Sequence, residues 1–379
     1  MKEINILFIE DNIDPTTGGV ERVSWALANY LDAYDIHSYF AFAGYDFKDV
    51  SEERKIKLNF YKDDQAILSE KLSDFVSRNK ISIIIVQNIA TDKIRYCFRK
   101  LRETSNIKII YCFHRNPVSS KLSSISRYYR FKVAVYNLLH GIKPRYNFAE
   151  IVEDVDKYVL LSPSYIPSFS KLYKVKSTEK LMAMQNPVPF AFEEPDLKVK
   201  EKTVLIIARF EEQQKNIKKA LDVWHKFEQK NSDWQLLIGG YGEDYEDVLK
   251  YSQKYNFQRC KFLGKIENPR ELYKQASIYM MTSRYEGYPM TLLEAMEFGC
   301  VPVVYNTFTS LQDIVEDGKN GLIVKPYSVS KYVDALLELV NNSEKRKEMA
   351  IAAYQKVKTS NTIEAIGNQW VQFLNSMMD

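Results

Sequence analysis

The run Arg284-Tyr-Glu-Gly-Tyr-Pro-Met-Thr-Leu-Leu-Glu294-Ala-Met-Glu-Phe-Gly-Cys-Val-Pro-Val-Val304 holds two carboxylates, Glu286 and Glu294, eight residues apart. Between them a Gly-Tyr-Pro turn opens an apolar helix that ends at Gly299. An apolar strand, Val301 to Tyr305, follows at once. Just upstream, Ala276 to Thr282 is another short apolar run. Strand, loop, helix and strand in that order form one unit of a parallel α/β sheet, whose strands are buried on both faces and so lack polar alternation. Such sheets bind ligands outside the carboxyl ends of their strands, where Glu286 falls. The backbone N–H groups of Met290, Thr291 and Leu292 begin the helix and suit an anion. Glu294, about one turn further in, can reach a ligand hydroxyl at that helix end. A loop carboxylate and a helix glutamate are individually ordinary surface features. Glu294 fits that description badly, because Leu292, Leu293, Ala295, Met296 and Phe298 crowd it.

The same alternation runs along the chain. In the first half, Ile4–Glu10, His37–Ala43, Ser82–Gln87, Ile107–Phe113, Lys157–Ser162 and Leu181–Asn186 read as strands. Val20–Tyr30, Asp63–Asn79 and Asp92–Glu103 read as helices between them. The two-proline stretch Pro189–Lys202 reads as a linker, after which the pattern restarts at Thr203–Ala208. The final helix carries Ile363, Ile366, Trp370, Phe373, Leu374 and Met377 at helical spacing, so one face is buried. The expected organisation is an α/β chain with a first domain over 1–188, a second over 189–360, and a terminal helix over 361–379 packing back on the first. Two doubly wound halves would face each other across a cleft. At 379 residues there is room for two cores. No apolar run is long enough to span a membrane, and the N-terminus reads as a strand rather than a signal peptide. The four cysteines are scattered with no Cys-x-x-Cys pair, as in a reduced cytosolic protein, and the four histidines show no metal-ligand spacing.

Three further clusters carry chemistry. Asp14-Pro-Thr-Thr-Gly18-Gly19 links the first strand to the first helix, and glycines there let a phosphate approach the backbone. Ile238-Gly-Gly240-Tyr-Gly242-Glu243 follows a strand and leads into a helix, the context a nucleotide-binding turn needs; it reads equally as a plain tight turn. Ala208-Arg209-Phe-Glu-Glu-Gln-Gln-Lys215-Asn216 puts Arg209 at a strand end and Lys215 at a helix start, two cations matched to a diphosphate. His114 ends a strand of the first half, where a lone histidine is also commonly structural. Asp154-Val-Asp156 has the wrong context for a metal site, and Glu211 and Glu212 read as a solvated loop.

In this order and spacing, Arg209…Lys215-Asn216, Gly239-Gly240-x-Gly242-Glu243 and Glu286-x7-Glu294 resemble family-four retaining glycosyltransferases of the GT-B fold. The likeness extends to the Gly18-Gly19 loop, the His114 strand end and the Asn186-Pro187 junction, and is strongest from Arg209 to Gly321. It implies that Arg209 and Lys215 bind the donor diphosphate and stabilise its departure. Glu294 would bind the nucleotide ribose, and Glu286 would hold sugar hydroxyls beside the amides of Gly287, Tyr288, Met290, Thr291 and Leu292. Gly18 and Gly19 would approach phosphate or sugar from the first domain, and His114 would sit near the reacting carbon. Pro289 stands where many relatives have glycine, which removes one N–H.

The resulting expectation is a retaining glycosyltransferase that needs no metal or other cofactor. It would move a hexose or N-acetylhexosamine from a nucleotide-diphosphate sugar, UDP before GDP, to a glycan or lipid-linked acceptor in surface polysaccharide or glycolipid synthesis. The alternatives are a catalytically silent GT-B scaffold or binding subunit, and a GT-B sugar-nucleotide epimerase or phosphorylase. Lys93 to Arg145 carries 13 lysines and arginines against one acid, Glu103, with aromatic residues interleaved. That pattern fits an anionic membrane surface on the cytoplasmic face better than nucleic acid, for which no module is present.

Overall fold

A computed structural model describes residues 3–116, 148–188 and 193–378. The chain divides into two units, one of Met1–Pro189 with Ile363–Asp379 and one of Phe190–Thr362. The first contains a seven-stranded sheet. Its strands are β1 (Ile4–Glu10), β2 (Ile36–Phe42), β3 (Lys55–Lys57), β4 (Ile83–Gln87), β5 (Lys108–Phe113), β6 (Lys157–Leu160) and β7 (Leu181–Ala183). They lie in the order β3-β2-β1-β4-β5-β6-β7. The second unit has β8 (Glu201–Ile207), β9 (Gln235–Gly239), β10 (Cys260–Gly264), β11 (Ala276–Met281), β12 (Val301–Tyr305) and β13 (Leu322–Val324), in the order β10-β9-β8-β11-β12-β13. The pairings in both sheets are parallel. Each sheet therefore changes winding direction once, between β1 and β4 and between β8 and β11. These are the topological switch points at which open α/β sheets form ligand crevices.

The apolar runs of the sequence are explained by two-sided burial. Every residue of β4, β11 and β12 is buried. The helix Ile217–Glu228 buries Ile217, Ala220, Leu221, Trp224 and Phe227 at three- and four-residue spacing, against the apolar faces of β8 and β9. Helix starts are chemically marked: the Asp64 carboxylate accepts from the amides of Ala66 and Ile67, and Thr91 from that of Ile94.

The terminal helix, Ile363–Ser376, belongs to the first unit, and its Ile366, Trp370 and Leu374 share a core with Ile4, Leu27 and Leu31. Gly367 permits this packing. A Cβ there would come within 2.2 Å of the Tyr30 ring. The Tyr30 hydroxyl reaches the neighbouring Asn368 Oδ1 at 3.0 Å.

Some elements differ from the sequence reading. β7 ends at Ala183 rather than Asn186, which leaves residues 184–188 outside the strand. The edge strand β3 and the helix Phe148–Asp154 were not expected, since three and seven residues are too short to show a period. Residues 189–192 of the expected linker lie outside the described residues, and residues 197–199 of it form one turn of 3-10 helix.

Candidate functional site

In the second unit, Glu286 and Lys215 meet. Glu286 stands in the loop after β11, and its carboxylate accepts from Lys215 Nζ at 2.8 and 3.0 Å and from Gln214 Nε2 at 3.1 Å. The Glu286 side chain is only 5% exposed and that of Lys215 17%, so this is a nearly buried, hydrogen-bonded ion pair. Lys215 ends a short helix, Glu212–Lys215, instead of starting one, and the chain turns sharply at Asn216 before the next helix. Asn216 takes the left-handed conformation, φ 55°, which asparagine tolerates better than most residues. Its side chain donates to Thr282 O at 3.1 Å and accepts from Arg284 Nη2 at 2.7 Å. The Arg284 amide donates to Gln214 O at 2.7 Å. Residues 214–216 and 282–286 are thus stitched together at the switch point between β8 and β11. Gln214, Asn216, Thr282 and Arg284 supply that stitching.

Arg209 follows β8 but is exposed, and its guanidinium pairs with Glu211 at 2.5 Å. Glu211 stays in a solvated loop, its side chain 39% exposed, but Glu212 does not. Glu212 begins the short helix, accepts from the Lys218 amide at 3.1 Å, and has its pKa raised by burial.

Glu294 is buried in the helix Met290–Glu297 and accepts from the Tyr273 hydroxyl at 3.0 Å. Burial first and the Glu294 carboxylate second hold the Tyr273 phenol well above its usual range, so it stays a donor. At the helix start, Leu292 N already donates to Pro289 O at 3.1 Å, which corrects the expectation that this amide is free. The Thr291 hydroxyl is hydrogen-bonded to the Tyr279 hydroxyl at 2.8 Å. The preceding loop is fastened by Ser310, which donates to Gly287 O at 2.8 Å, and by Asn361, which donates to the buried Tyr288 hydroxyl at 2.9 Å. Met290 is half-buried. Glu297, three residues beyond Glu294, is fully buried, and neither carboxylate oxygen has a partner among the described residues. Burial, with the neighbouring Glu294 charge second, pushes its pKa up to about 8.

Gly240 turns the chain after β9 at φ +133°, and a Cβ there would lie 1.8 Å from Ala208 O. Its amide donates to Gly264 O at 2.7 Å, so the residue shapes the loop. In the first unit, Gly18 and Gly19 open the helix Gly19–Asp32 directly after β1. His114 follows β5 with Nε2 2.6 Å from Gln87 Oε1, and burial lowers its pKa to about 4. Asp154 bonds Arg95, and Asp156 bonds Arg102 and the Ile109 amide, so both carboxylates are engaged within the unit. The basic stretch Lys93–Arg145 is described only as far as residue 116, and residues 117–147 lie outside the described residues. Within the described part, Arg95 pairs with Glu150 and Asp154, Lys100 with Glu103, and Arg102 with Asp156. Acids remote in sequence thus offset charge that the local count leaves unopposed.

Residues 188–356 match the family described as Glycosyl transferases group 1. A Haemophilus influenzae protein described as an uncharacterized glycosyltransferase is 26% identical over 349 residues, covering 88% of this chain and 90% of that one. The lipopolysaccharide 1,6-galactosyltransferase of Salmonella typhimurium is 28% identical over 177 residues, 45% of this chain and 48% of its own, so the match spans about half of each. An Anabaena protein solved in complex with UDP superposes with a TM-score of 0.74 at 17% identity, over 98% of this chain and 100% of that one. Together with the two doubly wound sheets, these likenesses mean that the chain resembles the GT-B glycosyltransferases and is itself a glycosyltransferase, whose residues 188–356 match the group 1 family.

Proposed function

We propose that this glycosyltransferase is a retaining, metal-independent enzyme that transfers a hexose or N-acetylhexosamine from a UDP-sugar to a glycan or lipid-linked acceptor. The observation that carries the reading is the Lys215–Glu286 pair, held at the switch point beside the start of the Met290–Glu297 helix. Breaking the anomeric C–O bond to a diphosphate builds negative charge on the leaving group. Lys215 has three N–H donors and Glu286 occupies two contacts, so a donor is left for a phosphate oxygen. Arg209, exposed on the neighbouring strand end, exchanges Glu211 for the diphosphate, and the two cations supply the charge stabilisation. Glu286 then turns its remaining acceptor capacity to sugar hydroxyls, and Glu294 takes the ribose hydroxyls with Tyr273 behind it. Retention follows from attack on the face the leaving group vacates, with the departing phosphate accepting the acceptor's proton. UDP is favoured because the structurally similar Anabaena protein was solved with it. The lipopolysaccharide-directed Salmonella relative supports a glycan or glycolipid acceptor.

The test is thermal stabilisation and turnover against UDP- and GDP-sugars, with and without EDTA, followed by NMR of the product's anomeric configuration. One UDP-sugar that stabilises the wild type but not Glu294→Ala, unaffected by EDTA and transferred with retention, supports every part of the reading. EDTA sensitivity removes metal independence, an inverted product removes retention, and the absence of any nucleotide effect removes the donor assignment. Attachment to an anionic membrane surface belongs to the same reading. Arg95, Lys100 and Arg102 are ion-paired, so it rests on the other ten lysines and arginines of Lys93–Arg145.

A further inference from the structure

His114 is the end of a chain of polar groups drawn from four consecutive places around the first unit's switch point. Its Nε2 lies 2.6 Å from Gln87 Oε1, at the end of β4. The other end of that amide, Nε2 of Gln87, donates to Ser24 Oγ at 3.2 Å on the helix that Gly19 opens. The carboxyl of Glu10, the last residue of β1, lies beside Ser24. Glu10, Ser24 and Gln87 are buried, at 2%, 0% and 4% exposure. At the opposite end of the chain, the buried His114 Nδ1 has no partner among the described residues.

An amide has one donating and one accepting end, so its two neighbours cannot both be donors or both acceptors. With the NH2 group turned to Ser24, the carbonyl faces His114, and the shared 2.6 Å contact requires a proton on His114 Nε2. A neutral imidazole carries only one N–H, so Nδ1 is left as a bare acceptor. Burial keeps the ring neutral, and a buried nitrogen left without a hydrogen bond is costly unless something donates to it.

We propose that Gln87 is a positioning residue that locks His114 in the Nε2–H tautomer, with Ser24 as its anchor, so that Nδ1 accepts a hydrogen bond from a sugar hydroxyl. The last step rests on the reading of His114 as a sugar-contacting residue, while the tautomer lock stands on the first unit's geometry. Burial first, then the neighbouring Glu21 and Asp11 charges, hold the Glu10 carboxyl well above the usual carboxylate range. Ser24 Oγ has two acceptor sites, so it takes the Gln87 N–H whichever form Glu10 is in.

The experiment is long-range nitrogen–proton correlation NMR on the full chain labelled at histidine. There are four histidines, and loss of one signal set in His114→Gln assigns the residue. The expected wild-type pattern is a protonated Nε2 and a bare Nδ1. A protonated Nδ1 overturns the proposal. Gln87→Leu should yield a mixed tautomer and lower kcat by about 10-fold, within the range of a mispositioned hydrogen-bonding group. A His114 spectrum unchanged in Gln87→Leu overturns it as well. Gln87→Glu, nearly isosteric, sets a carboxylate against Nε2–H and should raise the ring's pKa, moving the acidic limb of the rate profile to higher pH. An unmoved limb counts against the lock. If the tautomer behaves as expected but His114→Gln transfers sugar as fast as the wild type, the lock survives and the sugar-contacting role falls.

Discussion

Lys215 and Glu286 hold each other's charge in a nearly dry place, so neither can be replaced without stranding its partner. Lys215→Ala is expected to lower kcat by about 10²–10³, the usual loss of one charge-stabilising donor. It should also destabilise the fold by about 3 kcal/mol, because the buried Glu286 loses its counter-charge. Steady-state kinetics and chemical denaturation check the two effects separately. Glu297 offers a cleaner pH prediction. Its folded pKa, about 8, lies above the unfolded carboxylate value, so between roughly pH 4.5 and 8 the folded state keeps a proton that the unfolded chain releases. Stability from this group is complete at the acid end and is lost as pH rises through that window, by up to about 1.4 kcal/mol per pH unit. Thermal melts of Glu297→Gln should show a flatter decline between pH 5 and 8 than wild type. Parallel curves would mean that Glu297 ionises normally. Glu286, Glu294 and Lys215 were legible as residues because each sits in a short motif of its own at a strand end or helix start. Tyr273 and Gln214 were not, since each finds its glutamate only after 21 or 72 residues of chain have folded.

At the level of elements, loops at strand ends do the positioning, and small backbone allowances decide whether they can. Gly240→Ala would drive a methyl group into Ala208 O at a φ that L residues avoid. It is expected to cost several kcal/mol by displacing the turn after β9, and to raise KM for the nucleotide sugar more than it lowers kcat. Melting temperature and kinetics on the purified variant would show this. Gly367→Leu should loosen the terminal helix from Tyr30 while leaving the second unit's sheet intact, so limited proteolysis should cut near residue 363 faster than in wild type. The glycine-rich turns could be placed from the sequence because glycine beside a strand has few other uses. The edge strand Lys55–Lys57 and the helix Phe148–Asp154 could not, because an element shorter than two turns or two pleats carries no measurable period.

For the whole molecule, a nucleotide sugar that binds only the folded chain should stabilise it by about 2.7 kcal/mol at one hundred times its Kd. Glu294→Ala should abolish that increment. Co-sedimentation with liposomes should require anionic lipid and fall as salt rises; equal binding to neutral vesicles would remove the membrane assignment. The two sheets, their winding and the order of the site loops follow from the sequence itself. Short uninterrupted apolar runs bounded by turn residues fit strands buried on both faces, and helices between them enforce parallel, right-handed connections. The state of the charges was decided only by tertiary structure. Lys215 met Glu286, Arg95 and Arg102 met acids more than fifty residues away, and His114 joined Gln87 and Ser24. Burial and pairing depend on which strand ends become neighbours, and no local pattern encodes that.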